Sequence, residues 1–141
     1  MPARAAEQPA PPLPRGRETI LVVEDQGELR RAATRILERY GYRVLAAADG
    51  EEALALYLAN RADIGLLFSD LVMPRLGGEG LYRRIRAEGG APRVLFASGY
   101  SSRDAVERTG LDPRLPFIAK PWTLPDLVRR VREVLDAPGP R

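Results

Sequence analysis

Between residues 18 and 136 the chain repeats one alternation five times: a short apolar run, then a segment with helical spacing, then a turn. This pattern constrains the fold more than any other feature. Strands joined through helices run parallel, and a parallel sheet needs helices on both faces. The apolar runs are "ETILVV" (18–23), "YRVLAA" (42–47), "IGLLFS" (64–69), "RVLFAS" (93–98) and "LPFIAK" (115–120), all of strand length. After the first, Leu29, Ala32, Ala33, Ile36, Leu37 and Tyr40 recur at helical spacing and Gly41 stands where a helix would stop. Residues 49–60 read as a second helix, with Asp49 as N-cap and Glu52 three residues on. A glycine-rich turn at Gly77 and Gly78 precedes a polar helix over 79–88, and a short helix over 101–110 ends at Gly110. In the last helix Leu124, Leu127, Val128, Val131, Val134 and Leu135 share one face, with Thr123 as cap. The expected fold is α/β, a five-stranded parallel sheet wound on both sides by helices.

The 141 residues suit one domain over 18–136. Five prolines among residues 1–17 mark a disordered or linker-like tail, and 137–141 form a short C-terminal tail. With the last helix ending near 136, no effector domain is expected after it. No apolar run approaches the ~20 residues of a membrane span, and the N-terminus has no signal-peptide core. A cytoplasmic protein is the expectation. Cysteine and histidine are both absent. That excludes disulfides, thiolate chemistry and any histidine-based step supplied by this chain itself. The pI of about 9.7 belongs to the tails. Setting aside Arg4, Glu7, Arg15, Arg17 and Arg141 leaves 18 basic and 18 acidic residues. A neutral domain argues against nucleic-acid binding, which needs a basic face.

Every apolar run but the second is closed by a polar group: Glu24 and Asp25, Asp70, Ser98 and Lys120. In an open parallel sheet these ends lie on one side, where ligands bind. Three close carboxylates raise one another's pKa unless a cation is present. An all-oxygen acidic site suits Mg²⁺, and one carboxylate can then act as a nucleophile towards phosphorus. Lys120 and Ser98 are placed to hold phosphoryl oxygens.

The segments "LVVED" (21–25), "DGEEAL" (49–54), "SDLVMPRLGG" (69–78), "FASGY" (96–100) and "KPW" (120–122) together resemble the response-regulator receiver domain of two-component phosphorelay signalling. The likeness extends to single-domain regulators and to the C-terminal receivers of hybrid histidine kinases. It implies a doubly wound (βα)5 flavodoxin-like fold with strand order 2-1-3-4-5. It implies Asp70 as phosphoacceptor, and Mg²⁺ or Mn²⁺ held by Glu24, Asp25, Asp70 and the Val72 backbone carbonyl. Ser98 and Phe117 would be the switch residues, Lys120 the phosphoryl-binding lysine, and Lys120–Pro121 a cis peptide. The phosphodonor would be a phosphohistidine on a sensor histidine kinase or histidine phosphotransfer protein, or a small acyl phosphate. Output would pass through the face formed by 101–136 to a protein partner, or to a second copy in a homodimer. Such a domain is a phosphoacceptor with slow self-dephosphorylation, not a turnover enzyme.

Single residues have simpler readings. Asp70 alone could cap a turn, Glu24 and Asp25 could cap the first helix, and Lys120 could be a surface lysine. The arginine run 83–86 reads as a solvated helix face, and Tyr100 and Trp122 as rim or interface residues. A phosphatase of the haloacid-dehalogenase type would carry a second acid two residues after Asp70, where this chain has Val72. The competing function is a receiver-like interaction module that works without phosphorylation. Glu24 stands where many receivers have Asp, and Phe117 stands in place of a commoner tyrosine. Val72 and Tyr100 flank the path of an attacking water, which leads us to expect a long-lived phosphoryl-aspartate.

Overall fold

The computed structural model describes residues 12–139. Its elements alternate as β1 (Thr19–Val23), α1 (Gly27–Arg39), β2 (Arg43–Ala47), α2 (Gly50–Asn60), β3 (Ile64–Asp70), α3 (Gly78–Ala87), β4 (Arg93–Ser98), α4 (Ser102–Thr109), β5 (Phe117–Ala119) and α5 (Leu124–Asp136). The strands form one sheet in the order β2-β1-β3-β4-β5, and all four pairings are parallel. This is the doubly wound flavodoxin-like arrangement.

Side-chain alternation sorts the strand residues between two cores. Ile20, Val22, Leu66, Phe68 and Leu95 pack with Leu37 of α1 and Leu127 and Val131 of α5. Leu21, Val23, Leu67, Val94 and Phe96 face the other way, against Tyr57 of α2, Leu81 and Ile85 of α3 and Ala105 of α4. The central strands are apolar on both faces because both faces are covered.

Local chemistry sets the helix ends. Asp49, the N-cap of α2, accepts the Glu52 N–H at 2.8 Å, while Glu52 reaches back to accept the N–H of Ala48, the residue before the cap, at 2.8 Å. Ser101 and Thr123 cap α4 and α5 through the N–H groups of Asp104 and Asp126. Gly41 and Gly110 take positive φ just beyond α1 and α4, as chain-reversing glycines do. β5 is shorter than the expected 115–120. Pro116 has no N–H to give the ladder, and Leu115 N–H turns to the Asp112 carbonyl instead.

Of the proline-rich stretch 1–17, residues 1–11 lie outside the described residues. Residues 12–17 have no regular structure but are held in place. Gly16 N–H donates to the Tyr40 carbonyl at 3.0 Å, and the Arg132 guanidinium reaches the Arg15 carbonyl at 3.3 Å. A Cβ on Gly16 would lie 2.3 Å from the Tyr42 ring, so only glycine fits there. No described helix is long and apolar enough to cross a membrane.

Candidate functional site

The carboxyl ends of β1, β3, β4 and β5 bring the predicted residues to one edge of the sheet. β1 runs into Glu24 and Asp25, β3 ends in Asp70, β4 ends in Ser98, and Lys120 follows β5. Glu24, Asp25 and Asp70 each offer a carboxylate oxygen within 4.8 Å of the others. Glu24 is 7% and Asp70 8% exposed, while Asp25 faces solvent. The N-cap position of α1 is Gln26, which makes no side-chain cap bond. Asp25 therefore does not serve as the helix cap.

Lys120 crosses the end of β4 to reach this cluster. Its Nζ lies 2.9 Å from Glu24 Oε1 and 3.2 Å from Asp70 Oδ1. The intervening strand ends in the small pair Ser98–Gly99, which leaves the path open. Lys120 N–H donates to the Ser98 carbonyl at 2.9 Å, and the Lys120–Pro121 bond is cis. The Glu24 carboxylate also accepts the Gln26 N–H at 3.1 Å, and Arg30 Nη1 donates to the Glu24 carbonyl at 2.8 Å.

Burial, followed by the Glu24 charge, pushes the Asp70 carboxyl up to about 6, against the pull of Lys120. Burial pulls the Lys120 ammonium down. The hydrogen bond to Glu24 and the charges of Asp70 and Glu24 outweigh it and hold Lys120 above its ordinary value. Three carboxylates facing one ammonium leave an excess of negative charge in a partly desolvated pocket. That donor set, all oxygen and convergent, fits a hard divalent cation.

The β3–α3 loop folds back over the acid. A Cβ on Gly78 would lie 2.4 Å from the Asp70 carbonyl oxygen, and one on Gly77 would lie 2.8 Å from that of Leu71. The paired glycines serve this close approach as much as a turn. Around Asp70, Leu71 and Met73 are buried, but Val72 is 50% exposed and stands at the rim.

Ser98 is 2% exposed, and its Oγ accepts the Tyr100 N–H at 2.9 Å. The hydroxyl is thus engaged by its own loop, at the end of a strand whose Ala97 is paired with Asp70. Phe117 is half-buried against the core beneath α4, beside an apolar hollow of about 360 Å³ shared with Val106 and Leu111. Trp122 packs edge-on against Phe68, with ring centroids 6.4 Å apart. Sequence reasoning missed the direct Glu24–Lys120 pair, the Gly78 contact and the stacking of Arg108 on Tyr100, 4.8 Å from guanidinium carbon to ring centroid. The last had only the i, i+8 spacing of an aromatic residue and an arginine as its signal.

Known proteins share this arrangement. Residues 20–132 match the family described as the response regulator receiver domain. The chain is 33% identical over 121 residues to the sensor kinase CckA of Brucella abortus, covering 86% of this chain and 13% of that protein. It is 39% identical over 117 residues to the transcriptional regulatory protein CseB of Streptomyces avermitilis, covering 82% and 48%. The chain thus spans about half the length, or less, of these curated relatives. Among solved structures, the receiver domain of the hybrid histidine kinase CckA superposes with a TM-score of 0.70 at 39% identity, covering 84% of this chain and 99% of that one. A receiver domain protein from Clostridium thermocellum gives a TM-score of 0.75 at 24% identity, covering 84% and 94%, a likeness of fold. With its strand order and acidic edge, the chain belongs to the response regulator receiver domain family, whose members are phosphorylation-activated signalling receivers.

Proposed function

We propose that Asp70 accepts the phosphoryl group. The observation that carries this reading is the meeting of the Asp70 and Glu24 carboxylates within 3.2 Å of the Lys120 ammonium. An Asp70 carboxylate oxygen attacks phosphorus and the new O–P bond forms. The P–N bond of a partner's phosphohistidine breaks, and the imidazole leaves with the electron pair. Glu24, Asp25, Asp70 and the Val72 carbonyl would hold Mg²⁺ or Mn²⁺. When bound, the ion offsets the charge of the incoming phosphoryl oxygens. Lys120 takes one of those oxygens, exchanging a carboxylate partner for a phosphoryl one, and the Ser98 hydroxyl donates to another. Moving Ser98 inward shifts a two-state equilibrium that Phe117, under α4, carries to the surface formed by α4, β5 and α5.

In this reading the receiver domain runs over 18–136, works in the cytoplasm, binds no nucleic acid and is not a turnover enzyme. A sensor histidine kinase or histidine phosphotransfer protein supplies the phosphoryl group. A protein partner, or a second copy docked through α4, β5 and α5, reads the state. Val72 and Tyr100 set the rate of hydrolysis.

Intact mass after incubation with acetyl phosphate and Mg²⁺ tests this. The wild type is expected to gain one phosphoryl group and Asp70→Asn none, and the adduct is expected to outlast donor removal by many minutes. A gain in both proteins moves the acceptor elsewhere. No gain in either favours the phosphorylation-independent module, and decay within seconds refutes the assigned role of Val72 and Tyr100.

A further inference from the structure

Ser98 has to move if Asp70 is to be read, and what holds Ser98 at rest is Tyr100. The Tyr100 N–H donates to Ser98 Oγ at 2.9 Å. Between them lies Gly99, where an added Cβ would meet nothing within 4 Å, so the surroundings do not brace the loop there. Tyr100 itself is 36% exposed. Its restraint lies further along the chain, where the Arg108 guanidinium of α4 sits 4.8 Å from the centroid of its ring. Ser101, next in sequence, caps α4 by accepting the Asp104 N–H, which ties the residue after Tyr100 to the same helix. The hydroxyl that has to turn towards a phosphoryl group is therefore fastened, through one backbone N–H and one ring, to α4.

We propose that Arg108 is a positioning residue for the switch. Its stack on Tyr100 holds the β4–α4 loop in the resting arrangement and opposes the movement of Ser98 towards Asp70. The inference rests on the reading of Asp70 as acceptor, and it goes beyond that reading by assigning a restraint to a residue that touches neither phosphoryl group nor metal. When Ser98 Oγ moves inward, Tyr100 either follows, sliding its ring off Arg108, or loses its hydrogen bond. The first route costs the stack and the second costs the hydrogen bond. Without the stack Tyr100 would follow at neither cost, so the stack weighs on the resting side of the equilibrium. A ligand that favours the moved state binds more weakly by that weight. An exposed cation–π contact corresponds to about two- to five-fold in affinity.

The test is a titration with beryllium fluoride, a phosphoryl analogue, at fixed Mg²⁺. It is followed by the fluorescence of Trp122, the single tryptophan of the chain. Arg108→Ala is expected to bind the analogue about two- to five-fold more tightly than the wild type, and Arg108→Lys, which keeps a cation over the ring, to bind close to wild type. In a Tyr100→Ala background, Arg108→Ala is expected to add nothing, since the stack is already gone. Thermal midpoints measured alongside identify a merely structural arginine, which would lower stability equally in both backgrounds and leave affinity unmoved. Unchanged or weaker binding by Arg108→Ala, or the same gain with and without Tyr100, overturns the proposal while leaving Asp70 as acceptor. If the wild type itself gives no response and Asp70→Asn behaves identically, the acceptor reading falls and this proposal with it.

Discussion

The Asp70 carboxyl, pushed up to about 6 by burial and the Glu24 charge, ties stability to pH in a definite direction. In the metal-free protein, folding takes up a proton between about pH 4 and pH 6. Stability therefore falls as pH rises through that window, and the deficit persists above it. Asp70→Asn is expected to be more stable than the wild type at pH 7 by about 1–3 kcal/mol in urea unfolding, with the gap closing below about pH 4. Mg²⁺ at ten times its dissociation constant is expected to return about 1.4 kcal/mol to the wild type and much less to the variant. Equal stability of the two proteins at pH 7 would contradict the balance of charges described here. The residues of this edge were legible in the sequence because each follows an apolar run. Their pairing was not legible. That Lys120 meets Glu24 as well as Asp70 depends on one extra methylene in Glu24 and on the small residues ending β4, and no local pattern encodes either.

Among the elements, the β3–α3 connection places the acid most tightly. A methyl group on Gly78 would press on the Asp70 carbonyl at 2.4 Å and on the Phe96 ring at 3.1 Å, neither of which can yield without moving the strand end. Gly78→Ala is expected to lower stability by about 1–3 kcal/mol and to slow phosphoryl uptake from acetyl phosphate. Gly80→Ala, two residues on, would meet only the end of the Leu76 side chain at 2.9 Å. It is expected to stay within about 1 kcal/mol of wild type, since alanine is the better helix former. Equal losses in the two variants would mean that the loop tolerates displacement. Helices and strands were read from the sequence nearly to their ends because caps and glycines sit where the backbone changes direction: Asp49, Ser101, Thr123, Gly41 and Gly110. β5 was over-extended because an apolar run conceals whether its amides reach a ladder, and two flanking prolines shorten this one to Phe117–Ala119. Gly77 and Gly78 read as a turn, since close approach of distant backbone leaves no trace in a local pattern.

Across the whole molecule, Arg132 joins parts far apart in sequence. It bonds the Glu18 carboxylate at 2.7 Å, Asp136 at 2.9 Å and the Tyr42 hydroxyl at 3.3 Å. The Arg132 hydrogen bond holds the Glu18 carboxyl down at about 2, against a smaller opposing effect of burial. A depressed carboxylate stabilises above its unfolded pKa and loses that contribution as pH falls from about 4.5 towards 2. Glu18 is more than a third exposed, so screening reduces the contribution to about 1 kcal/mol. Thermal midpoints of wild type and Glu18→Gln are expected to differ at pH 6 and to approach one another as pH falls to about 2; parallel curves would discount the pair. The proline-rich start of the chain looked like a plain linker because nothing in 12–17 announces partners at Tyr40 and Arg132. Those partners give the domain a particular geometry of attachment. Arg15, before the first strand, and Asp136, at the end of the last helix, meet on one guanidinium, while the acidic cluster lies at the opposite ends of the strands. In a longer polypeptide the domain would hang from its neighbours like a bud on a stem. Its entrance and exit would be side by side, adding almost nothing to the span between flanking segments, and its reactive pole would point away from them.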